Sequence, residues 1–150
     1  GEAEGREYHF VSEARFLELR ESGRMIEERA YQTEKGLWRY GSVDEGGGED
    51  TLWLGIGTLE SYRKFCAYFG CERVIPLYLE VDAGERLKRS FAREQKEAAP
   101  CYAELVRRFQ ADEADYAEDK LLAAGIKKRY RNAELGACLG ELYEDMLQYV

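Results

Sequence analysis

The chain of 150 residues reads as an α/β protein, a parallel sheet flanked by helices, with a smaller β-rich lobe inserted near its start. Three observations predict this. From residue 51 onward, short apolar runs alternate with helical patterns, and such alternation implies right-handed crossovers and parallel pairing. Before them stand two strand patterns joined by the turn Thr33-Glu34-Lys35-Gly36, which sends the chain back as a hairpin. A hydrophobic content of 45%, with no internal repeat or low-complexity linker, fits one domain over residues 1–150.

The elements follow in order. Ser12 is a good N-cap for a helix through residue 21, with Phe16, Leu17 and Leu19 as apolar contacts and Gly23 as its stop. Residues 25–31 alternate as a strand, and residues 37–40 return as its partner. Residues 43–50 form an acidic, glycine-rich loop. Residues 51–56, an apolar run, suit a strand buried on both faces. Thr58 caps a helix whose Leu59, Tyr62, Phe65, Cys66 and Phe69 recur at helical spacing before Gly70. Residues 73–81 read as the next strand, with Pro76 tolerated where its missing N–H is not needed. Asp82 followed by Glu85 resembles a capping box and opens a helix carrying Leu87 and Phe91, broken at Ala98-Ala99-Pro100. Tyr102, Leu105 and Phe109 mark a long helix running toward Tyr116. Residues 126–131 are a short basic strand, and Leu135, Cys138, Leu139, Leu142 and Met146 form the apolar face of a last helix.

Composition narrows the function. A net charge of -8 argues against a general nucleic-acid or membrane-surface binder, though Lys88-Arg89, Arg107-Arg108 and Lys127-Lys128-Arg129 are local basic clusters. Cys66, Cys71, Cys101 and Cys138 contain no C-x-x-C pair, and His9 is the single histidine, so no zinc-site pattern is present. Scattered thiols with apolar neighbours suit a reducing cytosol, and no apolar run is long enough for a membrane helix. A cytoplasmic location is the expectation, with no specific protein partner identifiable.

The chemistry concentrates near the start. Tyr8, Tyr40 and Ser42 carry hydroxyls that can donate to an anion, whereas the carboxylate of Glu27 only accepts. Donors at one end and an acceptor at the other suit a ligand with a phosphate and an N–H-rich base. Further on, Arg89 and Arg93 are four apart on one helix face, and Arg108 follows on the next helix. Arginine offers fixed charge and paired donors to phosphate oxygens. Each of these residues also has a plainer reading, as a half-buried tyrosine, an exposed strand carboxylate or an i,i+4 ion pair such as Arg89 with Glu85.

These segments together resemble the guanylate kinase family. Gly1-Glu2-Ala3-Glu4-Gly5-Arg6-Glu7-Tyr8-His9-Phe10-Val11-Ser12 is similar to its GE-x-x-G-x-x-Y-x-F-V-S segment. Met25-Ile26-Glu27 resembles the strand whose glutamate reads guanine, and Tyr40-Gly41-Ser42 its Y-G-[ST] turn. Residues 87–93 with Arg107-Arg108-Phe109 resemble its lid and post-lid helices, and Asn132-Ala133-Glu134-Leu135 its N-[DE]-[DE]-L motif. The resemblance runs through the chain in the family's order. It implies a P-loop NTPase-like core, a monophosphate-binding lobe over about residues 1–50, and a helical lid with flanking helices over about residues 83–118.

What the resemblance implies is a kinase moving the ATP γ-phosphoryl group to GMP or a related nucleotide, with ATP and Mg²⁺ as cofactors. Tyr8, Glu27, Tyr40, Gly41 and Ser42 would bind substrate, Arg89, Arg93 and Arg108 would serve catalysis, and Asn132 would meet the adenine of ATP. Asn132 is equally a plausible cap for the last helix. No residue is expected to hold a metal directly.

Two departures qualify this. No G-x-x-x-x-G-K-[ST] occurs in the 150 residues, so the core is incomplete, and the natural chain is expected to extend upstream by a strand, a P-loop and a helix. Where the family has aspartates near Mg²⁺ and substrate, this chain has Gly55 and Gly57; Thr58 and Glu60 could substitute only in part. The alternatives are a non-catalytic guanylate-kinase-like module that binds a ligand or protein, and a different α/β protein whose motif matches are accidental.

Overall fold

The computed structural model describes residues 3–6, 8–33, 36–47 and 51–149. Of the expected features, residues 1, 2 and 7 of the first motif, 34 and 35 of the turn, and 48–50 of the acidic loop lie outside the described residues. The chain divides into two compact units, Gly1–Trp53 with Lys64–Arg73, and Leu54–Arg63 with Val74–Val150.

The first unit begins with a tight turn in which the Gly5 N–H donates to the Tyr8 carbonyl at 2.8 Å. Gly5 has φ +70°, a conformation that glycine adopts without strain. Helix α1 (Glu13–Glu21) follows, with the Arg15 N–H donating to the Ser12 hydroxyl as a cap. Strands β1 (Met25–Thr33) and β2 (Gly36–Val43) pair antiparallel, with Glu27 opposite Ser42, Arg29 opposite Tyr40 and Tyr31 opposite Trp38. A register shift lies between Met25 and Glu27. Strand periodicity gives the hairpin two faces. One meets α1, where Arg20 Nε donates to Glu28 at 2.7 Å, Arg39 pairs with both Glu13 and Glu28, and the Arg39 guanidinium lies 6.0 Å from the ring centroid of buried Phe16. The other carries Glu27, Arg29, Tyr31, Trp38, Tyr40 and Ser42.

Helix α2 (Leu59–Phe69) starts under a Thr58 cap, the Ser61 N–H donating to Thr58 Oγ1 at 3.2 Å, and stops at Gly70 with φ +89°. Its far end joins the hairpin within the first unit, where the Tyr68 hydroxyl reaches the Gly23 carbonyl and the Asp44 carboxylate at 3.4 and 3.3 Å. A 3-10 turn, Cys71–Arg73, follows.

The second unit holds β3 (Leu79–Glu80), α3 (Ala83–Glu94), α4 (Tyr102–Asp115), α5 (Glu118–Ala123), β4 (Tyr130–Arg131) and α6 (Leu135–Met146), then a 3-10 turn, Leu147–Tyr149. β3 and β4 pair parallel over two residues each. Leu59, Leu121 and Ile126 form a buried cluster, with Tyr62, Tyr78, Tyr116 and Ala124 packed against it. Tyr130 is buried, its hydroxyl donating to Asp145 at 2.6 Å, which fastens β4 to α6. Burial first, and then that bond, pushes the Tyr130 hydroxyl up to about 12.

The secondary structure is mixed; the hairpin strands run longer than the sequence predicts, whereas beyond residue 50 the strands of the described residues are fewer and shorter. Residues 51–56 form no strand, and Leu54 and Ile56 are 73% and 106% exposed rather than buried on both faces. Among the described residues that run has no hydrogen-bonded neighbour strand, and an apolar run without a ladder stays open. The strand expected over 73–81 shrinks to Leu79–Glu80; Pro76, lacking a donor, sits in its unpaired part. The strand expected over 126–131 is Tyr130–Arg131 alone. α5 was not expected; Glu118 and Asp119 in its first turn and Gly125 at φ +75° after it are its start and stop signals. Among the described residues no helix is long and apolar enough to cross a membrane.

Candidate functional site

The open face of the hairpin brings together four of the five residues expected to bind substrate. Glu27 is 6% exposed, and its Oε1 accepts from the Ser42 hydroxyl at 3.1 Å and from Arg29 Nη2 at 3.2 Å. A buried carboxylate needs such donors, because an unpaired charge away from water is costly. The cross-strand register of Glu27 and Ser42 makes the contact, so turn and strand together set it. Glu28, one position on, points to the α1 face, where its bonds to Arg20 and then the charge of Arg39 hold its carboxyl below the usual range. The two neighbouring glutamates therefore have separate roles, one in packing and one on the open face.

Beside Glu27 lies a cluster of phenols. The rings of Tyr8 and Tyr40 meet edge to face with centroids 5.4 Å apart, and Tyr31 meets Tyr40 the same way at 5.8 Å. Tyr8 is brought there by the opening turn, which Glu4 braces: the Phe10 N–H donates to Glu4 Oε2 at 2.6 Å and holds that carboxyl low. Gly41, the fifth expected residue, lies on the α1 side of β2 opposite Glu28. A Cβ there would stand 2.5 Å from Met25 Sδ and 3.3 Å from the Glu27 carbonyl oxygen, so glycine lets β1 and β2 close at this point. It shapes the site from beneath rather than lining it.

The second unit holds the other expected residues. Arg89 Nε donates to Glu85 at 2.9 Å, and its Nη2 donates to the Ala133 carbonyl at 3.3 Å. That bond brings α3 to the residue after Asn132, so Arg89 and Asn132 belong to one neighbourhood. The Asn132 N–H continues the parallel pair by donating to the Glu80 carbonyl at 2.9 Å. Asn132 does not cap α6; Glu134 does, accepting from the N–H groups of Gly136 and Ala137 at 2.8 and 2.7 Å. Those two bonds hold the Glu134 carboxyl below its ordinary range. Arg93 donates to Ser90 Oγ at 3.1 Å, and Arg108 lies between Glu94 and Glu104 at 3.6 and 3.7 Å. All three arginines thus rest on partners within the unit, and all are solvent-accessible enough to leave them.

α3 and α4 also enclose an apolar groove of about 490 Å³ lined by Leu87, Phe91, Tyr102, Leu105 and Val106, with Phe91 and Tyr102 stacked at 5.0 Å. Gly55 is exposed, with nothing near the place of a Cβ, and Gly57 lies against Ser61, where a Cβ would stand 3.0 Å from Ser61 Cβ. Among the described residues no group of three or more histidines, cysteines, aspartates or glutamates could hold a metal ion.

Arg29 and Tyr31 are the site residues that the sequence reading missed. The alternation of β1 was the available signal, since positions two and four beyond Glu27 must share its face. No protein-family model, curated protein or solved structure matches the chain.

Proposed function

We propose that the chain belongs to a guanylate-kinase-like nucleoside monophosphate kinase of the cytoplasm that moves the ATP γ-phosphoryl group to GMP or a related nucleotide. The observation that carries the reading is the open hairpin face, where a buried carboxylate, Glu27, stands beside a serine hydroxyl and a pair of tyrosines. Guanine offers an N1–H and an N2 amino group side by side, and one carboxylate accepts from both. Adenine presents an acceptor at N1 instead, and a buried site rejects a partner that leaves its polar groups unmatched. Tyr8 and Tyr40 donate to the monophosphate, and Ser42 adds a hydroxyl beside the base.

In the second unit, Arg89, Arg93 and Arg108 exchange their resting partners for phosphate oxygens. Phosphoryl transfer is mainly positioning and charge stabilisation, which converging guanidinium groups supply. The Asn132 amide, which both donates and accepts, suits an adenine edge. Gly55 and Gly57 offer Mg²⁺ no carboxylate, and an ion of this kind is commonly held by substrate phosphates and water with one or two carboxylates. The 150 residues contain no phosphate-cradling loop sequence.

A non-catalytic module is favoured by Gly55, Gly57 and the internally satisfied arginines. Calorimetric titration with GMP and AMP, together with ADP release by the natural protein with ATP and Mg²⁺, separates the readings. GMP binding with turnover supports the kinase, GMP binding without turnover supports the module, and no nucleotide binding removes both nucleotide readings.

A further inference from the structure

We propose that Arg29 is the monophosphate anchor of the open face and that it is coupled to Glu27, so that the ligand's anion and base must arrive together; this rests on the nucleotide reading above. Arg29 and Glu27 are two apart on β1, hence on one face, and Arg29 Nη2 lies 3.2 Å from Glu27 Oε1. Across the hairpin Arg29 stands opposite Tyr40, whose ring meets Tyr8 on one side and Tyr31 on another. Arg29 thus contacts the buried carboxylate and stands, in register, across from the tyrosine at the centre of the phenol cluster. Phenols are neutral donors at physiological pH and bind a dianion weakly by themselves. Arg29 adds to that end of the face the fixed positive charge and paired donors that a phosphate selects. Its side chain is 33% exposed, against 4% for Glu27, so the arginine is the member of the pair that can swing toward a ligand.

The coupling follows from what each ligand leaves behind. A nucleoside monophosphate gives Arg29 an anion and gives Glu27 a donor edge, so both members of the separated pair regain a charged or polar partner. Inorganic phosphate draws Arg29 away and leaves Glu27 its hydrogen bond from Ser42 but not the guanidinium. A neutral nucleoside must compete with Arg29 for Glu27 and returns no anion to the arginine. Separation of a charged pair is costly unless both charges are compensated. Discrimination between mononucleotides and their fragments thus sits in one movable ion pair.

The test is calorimetric titration of GMP, guanosine and inorganic phosphate into wild type, Arg29→Ala and Arg29→Lys, with thermal melting as the control for folding. Wild type should bind GMP more tightly than either guanosine or inorganic phosphate. Arg29→Ala should weaken GMP by about 10- to 150-fold, the range of a lost charge-assisted hydrogen bond. It should tighten guanosine, because the competitor for Glu27 is gone; a purely structural role would not produce that opposite movement. Arg29→Lys should keep part of the GMP advantage, since charge remains without the planar fork. Equal losses for GMP and guanosine, or no change in either, overturn the proposal while leaving the nucleotide reading in place. A wild type that binds neither GMP nor guanosine overturns both. If Arg29→Ala does not fold, the GMP-to-guanosine ratio in Arg29→Lys decides, and a ratio equal to wild type overturns the anchor's need for a planar, paired donor.

Discussion

Replacing Glu27 by glutamine keeps shape and volume while removing one charge and turning one acceptor into a donor. In the free protein the variant loses the ion pair with Arg29, whose side chain is one-third exposed, so solvent screening limits the cost to about 1 kcal/mol or less. The Ser42 hydroxyl, 3.1 Å away, still finds the remaining amide oxygen. A melting temperature lower by about 2–4 °C is expected for a chain of this size. With GMP the change is larger, because the amide group now faces a guanine donor with a donor. Loss of one charge-assisted bond costs about 1.5–3 kcal/mol, or about 10- to 150-fold in affinity. AMP should move the other way: its N1 acceptor and N6 donor match a glutamine amide in register. The assay is calorimetry with both nucleotides at matched salt. If GMP affinity is unchanged, or GMP and AMP weaken by the same factor, Glu27 does not read the base.

Arg93 is exposed and donates only locally to Ser90, so Arg93→Ala should leave the melting temperature unchanged while lowering kcat by about 10- to 100-fold, with a smaller rise in KM for GMP, in a coupled ADP-release assay of the natural protein. Arg86→Ala should do the reverse, because Arg86 lies 4.8 Å over the Phe109 ring and pairs with Glu113; calorimetric unfolding should show a loss of about 1 kcal/mol. Tyr130→Phe should cost about 1–2 kcal/mol in urea unfolding at neutral pH. The Tyr130 hydroxyl is raised in the folded state, so its stabilisation holds below the unfolded value of about 10 and is lost as pH climbs through about 12; the wild-type advantage over the variant should shrink across that interval. The Cys71 thiol is pushed up, chiefly by its hydrogen bond to Cys66 and then by burial, so its alkylation by iodoacetamide at pH 8 should run slower than that of glutathione.

Every helix but α5 was legible because the signals are local. Ser12, Thr58 and Asp82 as caps and Gly23 and Gly70 as stops can be read without knowing any neighbour. The hairpin was legible for the same reason, and with it the meeting of Glu27 and Ser42. Strands away from a hairpin depend on a partner that sequence does not display, which is why residues 51–56, 73–81 and 126–131 were overread. The α6 cap shows a finer limit. Asn132 and Glu134 are both plausible by type, and only the backbone path decides that Asn132 extends a strand while Glu134 caps the helix. Arg29 was overlooked despite its regular position, because a basic residue following two carboxylates reads first as solvent-facing charge.

The two-faced hairpin makes a mutational scan of β1 behave as a comb. Position 28 answers to α1 through Arg20 and Arg39, whereas positions 27, 29 and 31 answer to whatever occupies the opposite side. Substitutions along the strand, scored once for cellular abundance and once for ligand retention, should give two profiles oscillating with a period of two residues and half a period out of phase. Loss of abundance should peak where loss of retention dips. Because bonding alternates in this way, the strand can change specificity at its odd positions with little loss of stability, and gain stability at position 28 with little change in what it recognises.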